Sequence, residues 1–230
     1  LGLSVHGTHR IATEKTMAAM PETGIGLFPD IGATWFLNRC PGKMGLFLAL
    51  TGARVRAADA MLVGFATHYA PSAALEGLKR DLVAGTDVDT AIRKVAADPG
   101  PAPLADAKAA IDRTFAGGSV EAILAALEAE ATDWAKETLK TLGPKSPTSL
   151  KVTFEQLRRG AGLSIEDVLV MEYRMTQSFM AGHDFFEGIR ALLVDKDQSP
   201  KWKPPTLAEV TDADVARYFE APKTGDIEFA

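Results

Sequence analysis

The chain has 230 residues, of which 47% are hydrophobic and 24% charged, as in an ordinary globular protein. The net charge of −5 excludes the basic footprint of a nucleic-acid-binding protein, and the apolar runs are too short to span a bilayer. The single cysteine, Cys40, excludes an intrachain disulfide and a multi-cysteine metal site. These features predict a reducing, intracellular compartment, with the cytoplasm as the first expectation and the mitochondrial matrix as the alternative.

The first sixteen residues, "LGLSVHGTHRIATEKT", have neither an initiator Met nor a charged region followed by an apolar one. The pattern therefore predicts neither a signal peptide nor a transit peptide. It is typical of the middle of a fold, so we expect further sequence upstream of Leu1.

Residues 1–71 alternate short helix and strand patterns. A strand-like start in 10–20 is followed by helix patterns in 31–42, which Pro41 and Gly42 end, and in 43–55, which Gly52 ends. A short helix and a short strand follow in 56–71. Alternation in pieces of this length predicts an α/β layer.

Residues 72–145 are rich in Ala, Leu, Glu, Asp and Lys, and they predict two or three amphipathic helices. The clearest is a single helix over 119–142, with Ser119 as its cap. Pro147 is expected in the first turn of the next helix, and Ser164 with Asp167 in capping-box register starts another. A last strong helix is predicted in 184–197, and an extended tail with a short terminal helix in 199–219.

Two carboxylates, Glu22 and Asp30, stand in the otherwise apolar and glycine-rich stretch "AMPETGIGLFPDIGATWF" (19–36). Taken singly, each is most simply an acid at the start of a helix or turn. Eight residues of extended chain span at most about 28 Å, and Gly24 and Gly26 allow the chain to fold back. Two acids brought together in apolar surroundings should have raised or split pKa values, which suits acid/base or nucleophilic catalysis.

The other polar residues give weaker signals. His6 and His9 have a metal-like spacing without a third ligand, so structural roles and no metal are expected, and the same holds for His68 and His183. The glycines of "GIGLFPDIG" lack the spacing of a dinucleotide fingerprint. The C-terminal segment is either a solvated basic tail or a phosphate-contacting edge, and its residues are Lys196, Lys201, Trp202 and Lys203.

The segment "MPETGIGLFPDIGATWFLNRCPGKMGLFLALTG" resembles the crotonase (enoyl-CoA hydratase/isomerase) superfamily, and within it the 3-hydroxyisobutyryl-CoA hydrolases of valine breakdown. The match continues through "SPTSLKVTFEQL" and "MEYRMTQSFMAGHDFFEGIRALLVDKDQSPKWKP" and is loosest in 76–142. The resemblance implies an α/β fold of the ClpP/crotonase type, a spiral of ββα repeats. Residues 1–71 would be the second half of that core with the catalytic acids. Residues 72–230 would be a helical region that covers the active site and carries the oligomerisation surface.

This resemblance implies an acyl-CoA thioester hydrolase that converts 3-hydroxyisobutyryl-CoA, or a close 3-hydroxyacyl-CoA, to the free acid and coenzyme A in valine catabolism. The catalytic Glu and Asp of the family match Glu22 and Asp30, which would also bind substrate. Lys196 lies where relatives contact the nucleotide phosphates. Coenzyme A is part of the substrate, so no cofactor, metal, nucleic acid or membrane partner is implied. Homo-oligomers occur in the family.

The chain departs from the hydratases of the superfamily at two positions. Hydratases pair the glutamate matched by Glu22 with a second one, and that second position is Gly2 here; they tend to have Gly where this chain has Asp30. A hydratase or isomerase is the alternative, but it would lack half of its acid/base pair. The family's oxyanion-hole donors fall upstream of Leu1, so an inactive truncated member is a further alternative.

Overall fold

The computed structural model describes residues 1–229, and most of these residues are helical. The helices are α1 Ala33–Leu37, α2 Met44–Thr51, α3 Ala57–Leu62, α4 Leu75–Val83, α5 Val88–Val95, α6 Pro103–Thr114, α7 Val120–Glu130, α8 Asp133–Leu142, α9 Pro147–Gly160, α10 Ile165–Ala181, α11 Asp184–Ile189 and α12 Asp212–Arg217. Short 3-10 turns span Glu22–Ile25, Ser72–Ala74 and Leu207–Glu209, and a π-helical turn spans Arg190–Val194.

The strands are each two residues long and form two separate pairs. They are β1 Ile11–Ala12, β2 Met17–Ala18, β3 Val55–Arg56 and β4 His68–Tyr69. β1 and β4 pair in parallel, and β2 and β3 pair antiparallel. The strand patterns predicted in 10–20 and 56–71 are therefore present, although they are short.

Several helix boundaries follow from capping residues that the sequence displays. α2 ends at Gly52, whose φ of 67° is left-handed, and Ser119 caps α7. Pro147 begins α9, whose cap is the preceding Ser146. Ser164 caps α10 by accepting from the Asp167 N–H at 3.0 Å. These predicted helix starts and stops are confirmed, as is the short terminal helix, α12.

The prediction for residues 72–145 is wrong in the number of helices. This segment contains five, α4 to α8, and the single helix expected over 119–142 is two. Ala131 adopts a left-handed φ of 53°, which ends α7. Thr132 then caps α8 by accepting from the Ala135 N–H at 3.2 Å. The apolar pattern continues across the break because both helices pack on the same core.

The largest buried apolar cluster draws on both halves of the chain. It contains Met20 and Leu50 from the first 71 residues, and Ile123 and Leu142 from the helices that follow. A second cluster lies behind the 19–36 stretch, where the Phe28 ring stacks on Phe179 of α10 at 5.4 Å between centroids. The loop that carries the two acids is thus supported from beneath by α10.

Candidate active site

Glu22 begins a 3-10 turn that neighbouring elements hold on several sides. The turn ends at Gly26, whose φ of 72° favours glycine, and a Cβ there would lie 2.2 Å from a carbonyl oxygen of α11. The Thr23 hydroxyl donates to the Leu50 carbonyl at 3.0 Å, and the Thr23 carbonyl accepts from the Ser146 N–H at 3.1 Å. The backbone at Glu22 is therefore fixed by α2, α9 and α11.

The Glu22 carboxyl group lies in poorly hydrated surroundings. Its Oε2 atom is buried and has no hydrogen-bond partner among the described residues. Burial, with a smaller contribution from the negative charge of Asp30, raises the pKa of Glu22 to about 7. A hydrogen bond from its own backbone N–H and the positive charge of Lys145 act in the opposite direction. A carboxyl group with this pKa can accept and return a proton near neutral pH.

Lys145, which the sequence interpretation overlooked, brings an amine to the Glu22 turn. Its Nζ atom lies over two glycines, 3.1 Å from where a Cβ of Gly24 would stand and 3.5 Å from a Cβ of Gly52. Burial lowers the pKa of Lys145, and the nearby charge of Glu22 opposes that shift. The absence of side chains at both glycines makes room for this cation beside the acid.

The Asp30 carboxyl group has a pKa that burial raises, against a hydrogen bond from its own backbone N–H. Gly32, and not Asp30, is the N-cap residue of α1, and the Ala33 N–H bonds the backbone carbonyl of Asp30 at 3.0 Å. Glu22 does begin a turn, as its position next to Pro21 predicted, but its side chain caps nothing. The expected turn start is therefore confirmed for Glu22, whereas Asp30 is not the N-cap residue that its position suggested.

Two buried side chains from distant helices hold the turn around Asp30. Glu172 of α10 accepts hydrogen bonds from the Gly32 N–H at 2.7 Å and the Thr34 hydroxyl at 2.7 Å. Gln156 of α9 donates to the Pro29 carbonyl at 2.7 Å. Sequence reasoning missed both, although Glu172 falls on the buried stripe of α10 and a charge in such a position is a usable signal.

Ile31, directly after Asp30, has a φ of 59°, which is unfavourable for a β-branched residue and costs on the order of 1–3 kcal/mol. Its carbonyl contacts the His6 Nε2 atom at 3.0 Å, and a Cβ at Gly2 would lie 2.3 Å from its Cδ1 atom. Position 2 therefore lies beside the Asp30 turn. An open, largely apolar depression of about 640 Å³ adjoins it, lined by Leu1, Gly2, Leu3, Ser4, His6, Ile31, Ile165 and Leu169.

The C-terminal basic segment contacts α11 through its backbone and the loop before α9 through its tryptophan. The Trp202 Nε1–H donates to the Pro144 carbonyl at 2.9 Å, and the Lys203 N–H donates to the Asp184 carboxylate at 2.8 Å. Lys196 is exposed. The acids on either side of it both bind Arg190. Its contact with nucleotide phosphates stays a prediction.

The histidines have local structural partners. The His9 Nε2 atom lies 3.0 Å from the Asp89 carboxylate, and its ring stacks on His68 at 6.2 Å between centroids. His183 contacts its neighbour Asp184 at 3.1 Å. Within residues 1–229, no three His, Cys, Asp or Glu side chains are grouped so that they could hold a metal ion.

Cys40 is a core thiol three residues beyond α1. It is 7% exposed, and its Sγ atom lies 3.6 Å from the Phe36 carbonyl oxygen. Burial raises its pKa to about 12, so it is protonated and unreactive near neutral pH. No helix in the described part of the chain combines the length and the apolar character needed to cross a bilayer.

Comparison with known proteins identifies one matching family and several relatives of greater length. Residues 1–219 match the family described as "Enoyl-CoA hydratase/isomerase". The chain is 49% identical to "3-hydroxyisobutyryl-CoA hydrolase, mitochondrial" of Danio rerio over 238 residues and 44% identical to the protein of that name from Homo sapiens over 240 residues. These alignments cover 99% and 100% of this chain, and the chain spans 62% of the length of either relative.

Two solved structures have the same fold as the chain. A carnitinyl-CoA dehydratase from Mycobacterium thermoresistibile matches with a TM-score of 0.92 at 44% identity, over 97% of this chain and 65% of that one. An enoyl-CoA hydratase from Rhodobacter sphaeroides 2.4.1 matches with a TM-score of 0.88 at 38% identity, over 99% of this chain and 66% of that one. The predicted α/β fold of the crotonase type is thereby confirmed.

Proposed function

Because the chain belongs to the enoyl-CoA hydratase/isomerase family, we propose that it hydrolyses the thioester of an acyl-CoA. The proposed substrate is 3-hydroxyisobutyryl-CoA or a close 3-hydroxyacyl-CoA. Glu22 and Asp30 are the proposed catalytic and substrate-binding acids. The name shared by the curated relatives supports this substrate. The reaction would serve valine breakdown. It needs water and no cofactor beyond the coenzyme A that the substrate carries.

The proposed reaction is a hydrolytic acyl transfer. Ionised Glu22 takes a proton from water while the water oxygen bonds to the thioester carbonyl carbon. The carbonyl oxygen then carries the negative charge until the carbon–sulfur bond breaks and sulfur leaves with the electron pair. The proton on Glu22 passes to that sulfur, which gives the carboxylic acid and the coenzyme A thiol. Direct attack by the Glu22 carboxylate, followed by hydrolysis of the resulting anhydride, is the alternative route to the same products.

Asp30 would orient the attacking water or the 3-hydroxyl group of the substrate and assist the proton transfer. The negative charge on the carbonyl oxygen needs hydrogen-bond donors. We place these donors, as in the family, in sequence upstream of residue 1. Because the chain spans 62% of the length of its curated relatives, the activity is proposed for the complete protein that contains this sequence.

One observation in the structure carries this proposal. Glu22 is half-buried, with a pKa of about 7, a buried and unpartnered Oε2 atom, and a second acid within electrostatic range. A surface glutamate with its ordinary pKa would be a poor base at neutral pH. The shift gives Glu22 the proton affinity that general-base catalysis at neutral pH requires.

A second candidate function is hydration or dehydration of an enoyl-CoA. The names of the two solved relatives favour it. One observation opposes it. The family resemblance puts the second glutamate of hydratases at position 2, and this position is a glycine that lies beside the Asp30 turn. Adding or removing water across a double bond would have to proceed with Glu22 and Asp30 alone.

A paired assay separates these functions. Thiol release from 3-hydroxyisobutyryl-CoA reports hydrolysis, and loss of the ultraviolet absorbance of a conjugated enoyl-CoA reports hydration. Both are measured on the 230-residue chain and on the complete gene product. We expect thiol release without hydration in the complete protein. Hydration without thiol release would reject the hydrolase, and neither activity in the complete protein would leave the inactive member as the answer.

For the compartment, the word "mitochondrial" in the names of the curated relatives supports the matrix; the cytoplasm, our first expectation, has no such support. The proposed partner is a small acyl-CoA molecule. A homo-oligomer formed through the helical region 72–230 is also proposed, and light scattering at known concentration tests it. Fractionation of cells that express the complete gene tests the compartment.

A further inference from the structure

Glu172 is a nearly fully buried carboxylate on α10, and its three shortest hydrogen bonds come from Gly32 and Thr34, just after Asp30 and about 140 residues earlier in the chain. We propose that Glu172 is a positioning residue: it holds the Asp30 turn in the conformation that places the Asp30 carboxylate for catalysis. This inference rests on the proposed function of Asp30. It adds a residue that the sequence interpretation did not assign.

The contacts of Glu172 are numerous and well directed. Its Oε2 atom accepts from the Gly32 N–H at 2.7 Å. Its Oε1 atom accepts from the Thr34 N–H at 3.0 Å and from the Thr34 hydroxyl at 2.7 Å. Every one of these partners donates, which suits an ionised carboxylate and would not suit a neutral amide in the same place.

Gln156 holds the other side of the same turn. Its Nε2 atom donates to the Pro29 carbonyl at 2.7 Å and to the Thr34 hydroxyl at 2.8 Å, and it lies 3.4 Å from the Glu172 Oε1 atom. Asp30 is therefore bracketed, with Pro29 held by α9 and Gly32 held by α10. Within residues 1–229, its own carboxylate makes no hydrogen bond to another side chain.

The turn needs this support because its backbone is strained. Ile31 and Gly32 both have left-handed φ values, 59° and 78°, and the first is unfavourable for a β-branched residue. Without Glu172 the turn can relax toward ordinary backbone angles, and Asp30 moves with it. A displacement of about 1 Å in a catalytic group can cost about a hundredfold in rate.

The first test replaces Glu172 by glutamine, which keeps the shape and removes the charge, in the complete gene product. We expect kcat for thiol release to fall by about tenfold or more, while KM changes by less than about threefold. The matched control is Asp59→Asn, since Asp59 is also a buried acid that accepts a backbone N–H, that of Leu104 at 2.8 Å. Its rate should stay within about twofold of the wild type.

A double-mutant comparison distinguishes positioning from general structural support. If Glu172 acts through Asp30, the double variant Asp30→Asn/Glu172→Gln should be no more than about twofold slower than Asp30→Asn alone. Losses that multiply in the double variant would overturn the proposal. Should Glu172→Gln fail to fold, Gln156→Met, which releases the Pro29 side of the turn, takes its place under the same criteria.

A last arm does not depend on activity. Carbon-13 NMR of labelled aspartate follows the ionisation of Asp30 in the wild type, Glu172→Gln and Asp59→Asn. Release of the turn into water and loss of a nearby negative charge both predict an Asp30 pKa lower by at least about half a unit in Glu172→Gln, and no change in the control. If the wild type releases no thiol, the proposed function fails. An Asp30 titration that is unaltered in Glu172→Gln overturns the positioning role, whether or not the wild type releases thiol.

Discussion

Glu22 at pH 7 is protonated in about half of the folded molecules, because burial raises its pKa from the ordinary 4.5 to about 7. The folded state binds this proton more tightly than the unfolded chain, so the contribution of Glu22 to the free energy of unfolding falls as pH rises from about 4.5 to about 7. Urea denaturation gives the free energy of unfolding of Glu22→Gln minus that of the wild type. We expect this difference to increase by about 1–3 kcal/mol, in favour of the variant, between pH 4 and pH 8. A stability difference that is the same at both pH values would contradict the burial of this charge.

Lys145 should shift the pH profile of catalysis through Glu22. The base form of Glu22 is needed, so kcat/KM should rise with pH up to about 7 and then level off. Replacing Lys145 by Met removes a positive charge that lowers the pKa of Glu22. The rising limb of the kcat/KM profile should therefore shift to higher pH by about half a pH unit or more.

The matched control for that measurement is Lys140→Met, because the Lys140 side chain is 78% exposed and its ion pair with Glu137 is long, at 3.9 Å. Its profile should coincide with that of the wild type. If the rising limb of the pH profile is unchanged in Lys145→Met, or shifts equally in both variants, Lys145 does not influence the ionisation of Glu22.

At the residue scale, the sequence was enough to locate the two acids but not their supports. Glu22 and Asp30 stand out because their stretch is otherwise apolar. Lys145 looks like any polar residue in a loop, and its place over Gly24 and Gly52 depends on how α9 returns to the turn. Glu172 could have been noticed, since Val168 and Met175 lie on the same buried stripe of α10. The sequence could not show that Glu172 bonds Gly32 and Thr34, because these residues lie about 140 positions earlier in the chain.

At the scale of elements, the break between α7 and α8 makes a direct prediction. Ala131 has a left-handed φ of 53°, which is unfavourable for alanine and favourable for glycine. Ala131→Gly should therefore stabilise the protein by about 0.5–1 kcal/mol in chemical denaturation. Ala125→Gly, at an exposed position inside α7, is the control and should destabilise by a similar amount. Two destabilising changes of equal size would mean that the helix runs through Ala131.

Some helix boundaries in this chain could be predicted because a capping residue or a Pro or Gly marks them, although α1 ends at Leu37, before the expected stop at Pro41 and Gly42. Gly52, Pro147 and Ser164 are such marks, and the structure confirms each of them. The end of α7 has no such mark, because alanine is a strong helix former and nothing in its own chemistry signals a left-handed turn. The two-residue strands are short enough for their pairing to depend on contacts between segments far apart in sequence.

At the scale of the whole molecule, the shared core predicts one unfolding transition. Leu50 of the first 71 residues and Ile123 and Leu142 of the helical region are buried in a single apolar cluster. Trp35 reports on the first segment and Trp134 on the second, so single-tryptophan variants give two probes. Their urea midpoints should agree within error. Two separated midpoints would show that residues 1–71 and 72–229 fold as independent units.

The fold itself could not have been worked out from hydrophobic periodicity, since the strands are minimal and the helices are many. The long family motifs in 20–52, 146–157 and 171–204 carried that prediction, and the solved relatives confirm it with TM-scores of 0.92 and 0.88. The relatives also exceed this chain in length, and for that reason the proposed activity is placed on the complete protein.

Thiol release from 3-hydroxyisobutyryl-CoA by the complete gene product, measured side by side for the wild type, Glu22→Gln and Asp30→Asn, tests the central claim most directly. The proposed roles predict release by the wild type and a loss in kcat of at least about a hundredfold in each variant, the scale of acid/base assistance. Release at the wild-type rate by both variants would show that these two acids do not carry the reaction.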